Sequence, residues 1–536
     1  MSNTTLSPML SPPLAPAGHS VEEKVYVARQ QIRGSSLLFA GRVMSQCVSL
    51  GVHVLTVRYL SATSFGALAY ALSVVYMCGQ LSTLGMDKAV SRFLPVYHER
   101  REYDRMFGTL LLVVGTILAI GIAIPVAVLL LRGVIAEHWV QDPEVLSLIA
   151  ITIFLIPLEA LDTTIVNMFA VFANPRAIFF RRYLLSPVLR LSIVALLVLF
   201  QCDVWFLACG YVVSSLLGVG ICGGVLYRLI EKQGLAPYCK LRSMHVPWRE
   251  VLAFSLPLLS TDIFYVLMYG FDVILLEHYC GTAAVAPYRA VQPIARLNQV
   301  VFSTFTVLFA PQAARLFARH DSEGVNHLYW KTATWIAVLT FPVFIASFSL
   351  CEPLTLLLFG ERYAGSGTLL ALLAVGYYFN AALGFNGTTL TIYRKVWYVA
   401  ALTIVAAVVN VSLNLILIPR YGALGAAIGT TSSLVLHNVL KQAGLRFGTG
   451  INVFDWRYLR VYVVIAASAA GLLAAQHFAH LPQAMSFLLA GLAFVYLIRA
   501  NRDLLDVTDT FPELMRLPLI ARLLGKPRRV APADAD

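Results

Sequence analysis

Residues 35–60 read SSLLFAGRVMSQCVSLGVHVLTVRYL, residues 61–85 read SATSFGALAYALSVVYMCGQLSTLG, and residues 86–97 read MDKAVSRFLPVY. The first two segments are each long enough to cross a bilayer, for which about 20 predominantly apolar residues suffice. A turn of a few residues around Ser61–Ser64 joins them. A basic loop follows, with Lys88, Arg92, Arg100, Arg101 and Arg105. The first segment is not uniformly apolar. At about 100° per residue, Ser35, Gln46, Ser49 and His53 fall within about 40° of Arg42. An unpaired charge facing hydrocarbon costs several kcal/mol. This stripe must therefore face something polar inside the membrane.

The rest of the chain has the same character. Of 536 residues, 59% are hydrophobic and 13% charged, and the mean hydropathy is +0.75. Soluble domains carry about 25% charged residues, so this is an integral membrane protein. The net charge of +12 invites a nucleic-acid reading. Its distribution argues against one, because the basic residues sit in short loops between apolar runs rather than in one patch. The eight cysteines form no CxxC pair and lie mostly within apolar runs, as small core residues do. None of the eleven histidines has a zinc-like partner. No metal and no cofactor are expected.

Residues 1–20, MSNTTLSPMLSPPLAPAGHS, are rich in Pro and Ser and lack the apolar core of a cleavable signal peptide. They are read as part of a cytoplasmic tail. The glycosylation sequons at Asn3, Asn386 and Asn410 fall in that tail or in and beside apolar spans, which argues against their use.

Hydropathy marks fourteen spans: 35–57, 65–84, 107–131, 145–171, 178–200, 204–227, 251–276, 285–311, 331–351, 367–390, 396–418, 421–442, 460–478 and 483–498. The positive-inside rule tests that count. With the N-terminus inside, thirty-two of the forty Lys and Arg fall on the inner side. Five fall outside (Arg58, Arg132, Arg289, Arg362 and Arg420), and Arg42, Arg190 and Arg296 lie within spans. The expectation is an all-α polytopic membrane protein with both termini cytoplasmic.

A weak internal echo divides it. RYLSATSFGALAYA before SRFLP is matched by EHYCGTAAVAPYRA before FAPQAARLFAR. Two pseudo-repeated six-helix lobes would enclose a central cavity. The expected units are a tail at 1–34, an N-lobe at 35–230 and a cytoplasmic linker at 231–250. A C-lobe at 251–445, two extra helices at 446–500 and a C-terminal tail at 501–536 follow. That tail carries DLLDVTDTFPELMRLPLIARLLGKPRR and is expected along the inner surface. Pro125, Pro157, Pro187, Pro257, Pro293 and Pro342 interrupt six spans, as hinges or as packing features.

The eighth span repeats the polar stripe of the first. Arg289, Gln292, Arg296, Gln299 and Ser303 are spaced 3, 4, 3 and 4 and share an arc of about 80°. The seventh carries Asp262, Tyr265, Tyr269 and Asp272 at similar spacing. Arg190, near Ser186, is a third intramembrane arginine, with Glu159 and Asp162 as ion-coupling groups or counter-charges. One reading is a water-filled cavity whose guanidinium groups hold an anionic head group, since the planar fork pairs bidentately with phosphate. The other is structural pairing of Arg296 with Asp272 or Asp262, and of Arg190 with Asp162. Three polar stripes on different helices favour the cavity. Tyr70, Tyr76, Tyr265, Tyr269, Tyr288, Tyr377 and Tyr378 are either sugar-stacking groups or packing and interface anchors.

Residues 58–75 (RYLSATSFGALAYALSVV) and 81–95 (LSTLGMDKAVSRFLP) resemble the opening of the polysaccharide transporter family. Residues 271–294, 353–376 and 410–430 resemble it in the same order, and the likeness covers about residues 35–500. These are oligosaccharide-lipid flippases of the multidrug/oligosaccharidyl-lipid/polysaccharide exporter superfamily. The resemblance implies movement of an undecaprenyl-diphosphate-linked oligosaccharide from the cytoplasmic to the outer leaflet by alternating access. It implies a bacterial inner membrane, with a polysaccharide polymerase and glycosyltransferases of the same pathway as neighbours. Arginines on the first and eighth helices of related lipid II flippases point to Arg42 and Arg296 as diphosphate ligands. The turns SATS and GTAA depart from the G-P-E/D type usual in the family. Two rivals remain. A multidrug antiporter of the same superfamily would have twelve helices and a carboxylate-centred cation site. A membrane-embedded glycosyltransferase or polymerase would need a large outer loop or a catalytic acidic motif, and every outer loop here is short.

Overall fold

The computed structural model describes residues 41–505 apart from 139–141, 240–243, 453 and 480. The tails at 1–34 and beyond 505 lie outside the described residues, as do Ser35 and the side chains of Pro257, Tyr265 and Tyr269. The described residues form an all-helical chain. Helix α1 occupies 41–59, and Ser61 caps α2 (Ala62–Ser82) by accepting from the Ser64 amide at 3.0 Å. The segment expected as a basic loop is instead mostly helix, α3 (Met86–Glu99). Its sequence alternates apolar residues (Met86, Val90, Leu94, Tyr97) with basic ones at helical spacing, so one face packs and the other stays polar.

The first half continues with α4 (Tyr103–Leu130), α5 (Arg132–His138), α6 (Pro143–Thr152) and α7 (Leu155–Val171). After α8 (Pro175–Phe179) a π-helical turn at Phe180–Leu185 leads into α9 (Ser186–Leu199), then α10 (Val204–Lys232). The second half begins with α11 (Trp248–Tyr269) and α12 (Phe271–Cys280), broken at Gly270. Next come α13 (Thr282–Arg296) and α14 (Asn298–Ala318), broken at Leu297. Asn298 Nδ2 donates to the Ala295 carbonyl at 2.9 Å, which satisfies an acceptor that the break releases. Within α14 the axis bends by 44° between Asn298–Thr306 and Phe309–Ala318. The chain then runs through α15 (Ser322–Phe348), α16 (Cys351–Phe359), α17 (Gly367–Ala382) and α18 (Asn386–Ile392). It finishes with α19 (Val396–Tyr421), α20 (Ala423–Thr449), α21 (Leu459–Ala479), α22 (Gln483–Ala500) and α23 (Arg502–Leu505).

Among the described residues, eleven helical segments are long and apolar enough to cross a membrane, or twelve if the bent α14 counts as one. The two remaining expected spans fall on α1, whose start lies outside the described residues, and on the broken pair α11 and α12. Exposed Leu130, Leu199, Phe200 and Trp397 mark the outward apolar surface.

One apolar core joins both halves at the end of the bundle that carries Ser61. It draws Val57, Leu68, Val145 and Leu207 together with Val285, Tyr288, Leu370 and Ile418. There Gly66 is packed so closely on α13 that a Cβ would stand 2.0 Å from the Thr282 carbonyl oxygen. A second core, at the opposite end, unites α3, α4, α7 and α10. Helices α21 and α22 pack on α15 through Ile465, Leu472 and Leu497.

Candidate functional site

A cavity of ≈ 950 Å³ lies between the halves. Helices α1, α2, α7, α9 and α10 and the π-helical turn form one wall; α13, Gln299 of α14 and Tyr377 of α17 form the other. Of the residues singled out by sequence, it is lined by Gln46, Ser49, His53, Glu159, Asp162, Arg190, Arg289, Gln292, Arg296 and Gln299. The stripes on the first and eighth spans thus face each other across one space.

The α13 wall is basic. Arg289 Nη2 donates to Ser73 Oγ of α2 at 2.6 Å, and Nη1 donates to Gln292 Oε1 at 2.7 Å. That second bond fixes the amide orientation, because the flipped amide would set N–H against N–H. Arg289 Nε and Gln292 Nε2 are then buried donors with no acceptor among the described residues. Arg296 Nε donates to the Tyr377 hydroxyl at 3.0 Å. His53 Nε2 donates to the Ala290 carbonyl at 2.9 Å, tying α1 to the same helix.

The opposite wall mixes signs. Arg181 is 4% exposed, and its Nε stands 2.5 Å from Asp162 Oδ1. The π-helical turn sets it there, and Gly218 of α10 makes room, since a Cβ at that position would lie 2.6 Å from Arg181 Nη2. Such turns recur at functional sites. Arg190 is exposed within the cavity, its guanidinium carbon 6.0 Å from the Tyr211 ring centre, with Glu159 in electrostatic reach.

Several expectations need correction. Arg42 is exposed and does not line the cavity; it sits one turn before Gln46. Asp262 does not line it either, because Lys88 Nζ holds its Oδ1 at 2.5 Å. Asp272 is 1% exposed and accepts from the Tyr288 hydroxyl, the Thr430 hydroxyl at 3.5 Å and the Val273 amide at 2.8 Å. Asp162 and Asp262 thus pair with Arg181 and Lys88 instead, while Asp272 accepts from Tyr288 and stays in electrostatic reach of Arg296 and Arg289. Arg289, counted on the outer side, lies inside the helix and on the cavity. For Tyr265 and Tyr269 the side-chain positions lie outside the described residues. The sequence reading missed Arg181 and Ser73. Arg181 looks like one more basic loop residue in FFRRYLL, and Ser73 like a small residue in an apolar run.

The family model described as polysaccharide biosynthesis protein matches residues 32–317, more than half of the chain. The chain belongs to that family. It is 25% identical over 349 residues to the succinoglycan biosynthesis transport protein ExoT of Rhizobium meliloti (strain 1021), covering 62% of this chain and 64% of that one. It is 20% identical over 169 residues to the probable low-salt glycan biosynthesis flippase Agl15 of Haloferax volcanii, covering 32% of this chain and 36% of that one. Both matches span less than two thirds of the relative. In structure it is similar to the lipid II flippase MurJ in an inward closed conformation, with TM-score 0.66 and 13% identity over 87% of this chain and 99% of that one. A multidrug resistance MATE family transporter of the MOP superfamily, in an inward-facing conformation, gives TM-score 0.64 and 14% identity over 76% and 94%. At those identities the likeness establishes the fold. The family is one of polysaccharide biosynthesis, and the fold is the one those flippase and transporter structures share.

Proposed function

We propose that this protein moves a polyprenyl-diphosphate-linked oligosaccharide, of the undecaprenyl type, from the cytoplasmic to the outer leaflet. The supporting observation is the cavity's charge. Arg181, Arg190, Arg289 and Arg296 face it against two carboxylates, Glu159 and Asp162. Asp162 already neutralises Arg181, while the α13 wall presents two arginines against one carboxylate, Asp272. Asp272 lies behind that wall, in electrostatic reach of both arginines without lining the cavity, which leaves the wall net positive. Such a wall attracts an anion and repels a cation, which disfavours the antiporter reading. The guanidinium groups of Arg289 and Arg296 on that wall are of the type that suits phosphate oxygens. The volume is near the upper end of small-molecule sites, about 300–1,000 Å³, which suits a sugar-bearing head group while the lipid tail stays in the bilayer.

Transport by alternating access follows if residues 35–230 and 251–445 rock as two lobes about this site. The basic bias of the loops supports a cytoplasmic Lys88 end and an outer Ser61 end, and the family resemblance supports a bacterial inner membrane. The names of ExoT and Agl15 support a place in glycan export, with a polymerase and glycosyltransferases as pathway neighbours. The test is leaflet translocation in proteoliposomes, with a fluorescent undecaprenyl-diphosphate oligosaccharide and an impermeant quencher. Protein-dependent change in protected signal, lost in Arg289→Ala/Arg296→Ala, is expected. No translocation, alongside efflux of organic cations down an ion gradient, would replace this reading with the antiporter.

A further inference from the structure

Glu277 is a buried carboxyl that neither the cavity nor the packing uses. It lies near the end of α12, 7% exposed, and its Oε2 has no hydrogen-bond partner among the described residues. At the same end of the bundle, the Ser61 end, the two halves meet in a tight seam. Gly66 abuts the Thr282 carbonyl. Arg58 donates to the carbonyls of Leu357 at 2.5 Å and Leu358 at 2.7 Å, and Arg362 donates back to the Leu60 carbonyl at 2.6 Å.

A second carboxyl enters the seam from the other half. Asp142, which precedes α6, caps that helix by accepting from the Glu144 amide at 2.9 Å. Its other oxygen accepts from the Thr282 hydroxyl at 3.3 Å, and its charge reaches Glu277. Tyr70 of α2, 5% exposed, is the other titratable group acting on Glu277. From the remaining neighbours, α13 presents Thr282, while α19 and the Gly422 turn before α20 approach through Ile418 and Gly422 beside Cys280. Among the described residues, the charged partner in reach is thus another carboxylate. Two carboxylates sharing a desolvated site cannot both ionise at low cost, and one takes up a proton.

We propose that Glu277 is a proton-binding site, filled from the outer aqueous phase, that latches the outer seam between the two halves. With the proton on, Glu277 is neutral and the seam closes over the cavity. With the proton off, the Glu277 and Asp142 charges repel across the seam and it opens outward. The sign follows from linkage: a carboxyl that binds its proton more tightly in the closed state stabilises that state at low pH, and the contribution is lost as pH rises. The inference rests on the alternating-access reading for its orientation, and it supplies that reading with a proton-dependent step.

The test is amide hydrogen exchange of the full chain in lipid nanodiscs, read over residues 58–70 and 277–290, without substrate. Comparing variants at one pH removes the intrinsic pH dependence of exchange. At pH near 8.5, wild type is expected to exchange about threefold or more faster than Glu277→Gln, and at pH near 5.5 at the same rate. Asp142→Asn, which removes the repulsion but keeps the cap, should give an intermediate ratio. A wild-type to Glu277→Gln ratio equal at both pH values would overturn the latch. Should Glu277→Gln not insert, an Asp142→Asn to wild-type ratio independent of pH would do the same. A seam that ignores pH in a protein that still moves the lipid-linked glycan removes the latch alone. A seam that switches in a protein that moves no glycan removes the transport reading alone.

Discussion

Arg181 Nε and Asp162 Oδ1 stand 2.5 Å apart on the cavity wall, joined across a π-helical turn and a neighbouring helix. The arginine is almost wholly enclosed, whereas the Asp162 side chain keeps 25% of its exposure toward the cavity. Removing one partner of a buried pair leaves an uncompensated charge, at a cost of about 3–5 kcal/mol where both are enclosed. With Asp162 partly open, the lower end applies. Arg181→Ala is expected to melt well below wild type in detergent, and Arg181→Met/Asp162→Leu to recover most of the loss. Equal melting of Arg181→Ala and wild type would show the pair to be dispensable.

Arg289 and Arg42 separate geometry from resemblance. Likeness to lipid II flippases points to Arg42, but its side chain lies off the cavity, whereas Arg289 lines it, held between Ser73 and Gln292. Arg289→Ala should slow translocation about tenfold or more, the equivalent of one lost charge-assisted contact of about 1.5–3 kcal/mol. Arg42→Ala should change it only a few-fold. Arg289→Lys is expected to stay defective, because an ammonium cannot bond Ser73, Gln292 and an anion with the fixed fork of a guanidinium. A stronger defect in Arg42→Ala than in Arg289→Ala, at equal insertion, would reverse that order.

Arg58 and Arg362 form a reciprocal clasp: each caps the carbonyl end of a helix in the opposite half. Positive charge at a helix C-terminus is worth about 0.3–1 kcal/mol when exposed, and both arginines are exposed. Arg58→Ala/Arg362→Ala should therefore shift the conformational balance only several-fold, toward opening at this end. Spin-label distances between Thr63→Cys and Ala364→Cys in a background lacking the exposed cysteines would show a larger long-distance population. An unchanged distribution would mean that the apolar core beneath holds the seam alone.

These contacts mark the limit of what the sequence discloses. The bilayer dictates helix, so apolar run lengths and the basic bias locate most spans without a fold in hand. The stripe from Gln46 to His53 is legible because a polar face on a membrane helix has one acceptable direction. Partner choice is not legible. Asp162 was as compatible with Arg190 as with Arg181, and only the π-helical turn and the missing side chain at Gly218 decide between them. Asp262 reads like Asp272 by spacing, yet the α3 helix brings Lys88 to one and the α13 helix brings Tyr288 to the other. Ser73 carries no signal, because one small hydroxyl in an apolar helix is ordinary until a guanidinium from another helix finds it.

Asp455 gives a pH-dependent prediction outside the membrane. It lies between α20 and α21, caps a short turn by accepting from the Arg457 amide at 3.1 Å, and takes a forked pair of bonds from that guanidinium, the shorter at 2.6 Å. Arg457 holds the Asp455 carboxyl below its usual range. A carboxyl lowered in the native state adds stability that is fully present above its ordinary value and is lost as pH falls through the lowered one. The junction leading into α21 and α22 should therefore be intact at neutral pH and loosen in acid. Limited proteolysis at this junction should be slow near pH 7 and faster near pH 3 in wild type. In Asp455→Asn it should be faster at neutral pH and nearly independent of pH, since the amide keeps the turn bond but loses the charge. Because Arg457 is largely exposed, high salt should weaken the wild-type protection at neutral pH. Protection that rises in acid would show that the charge pair does not hold the junction.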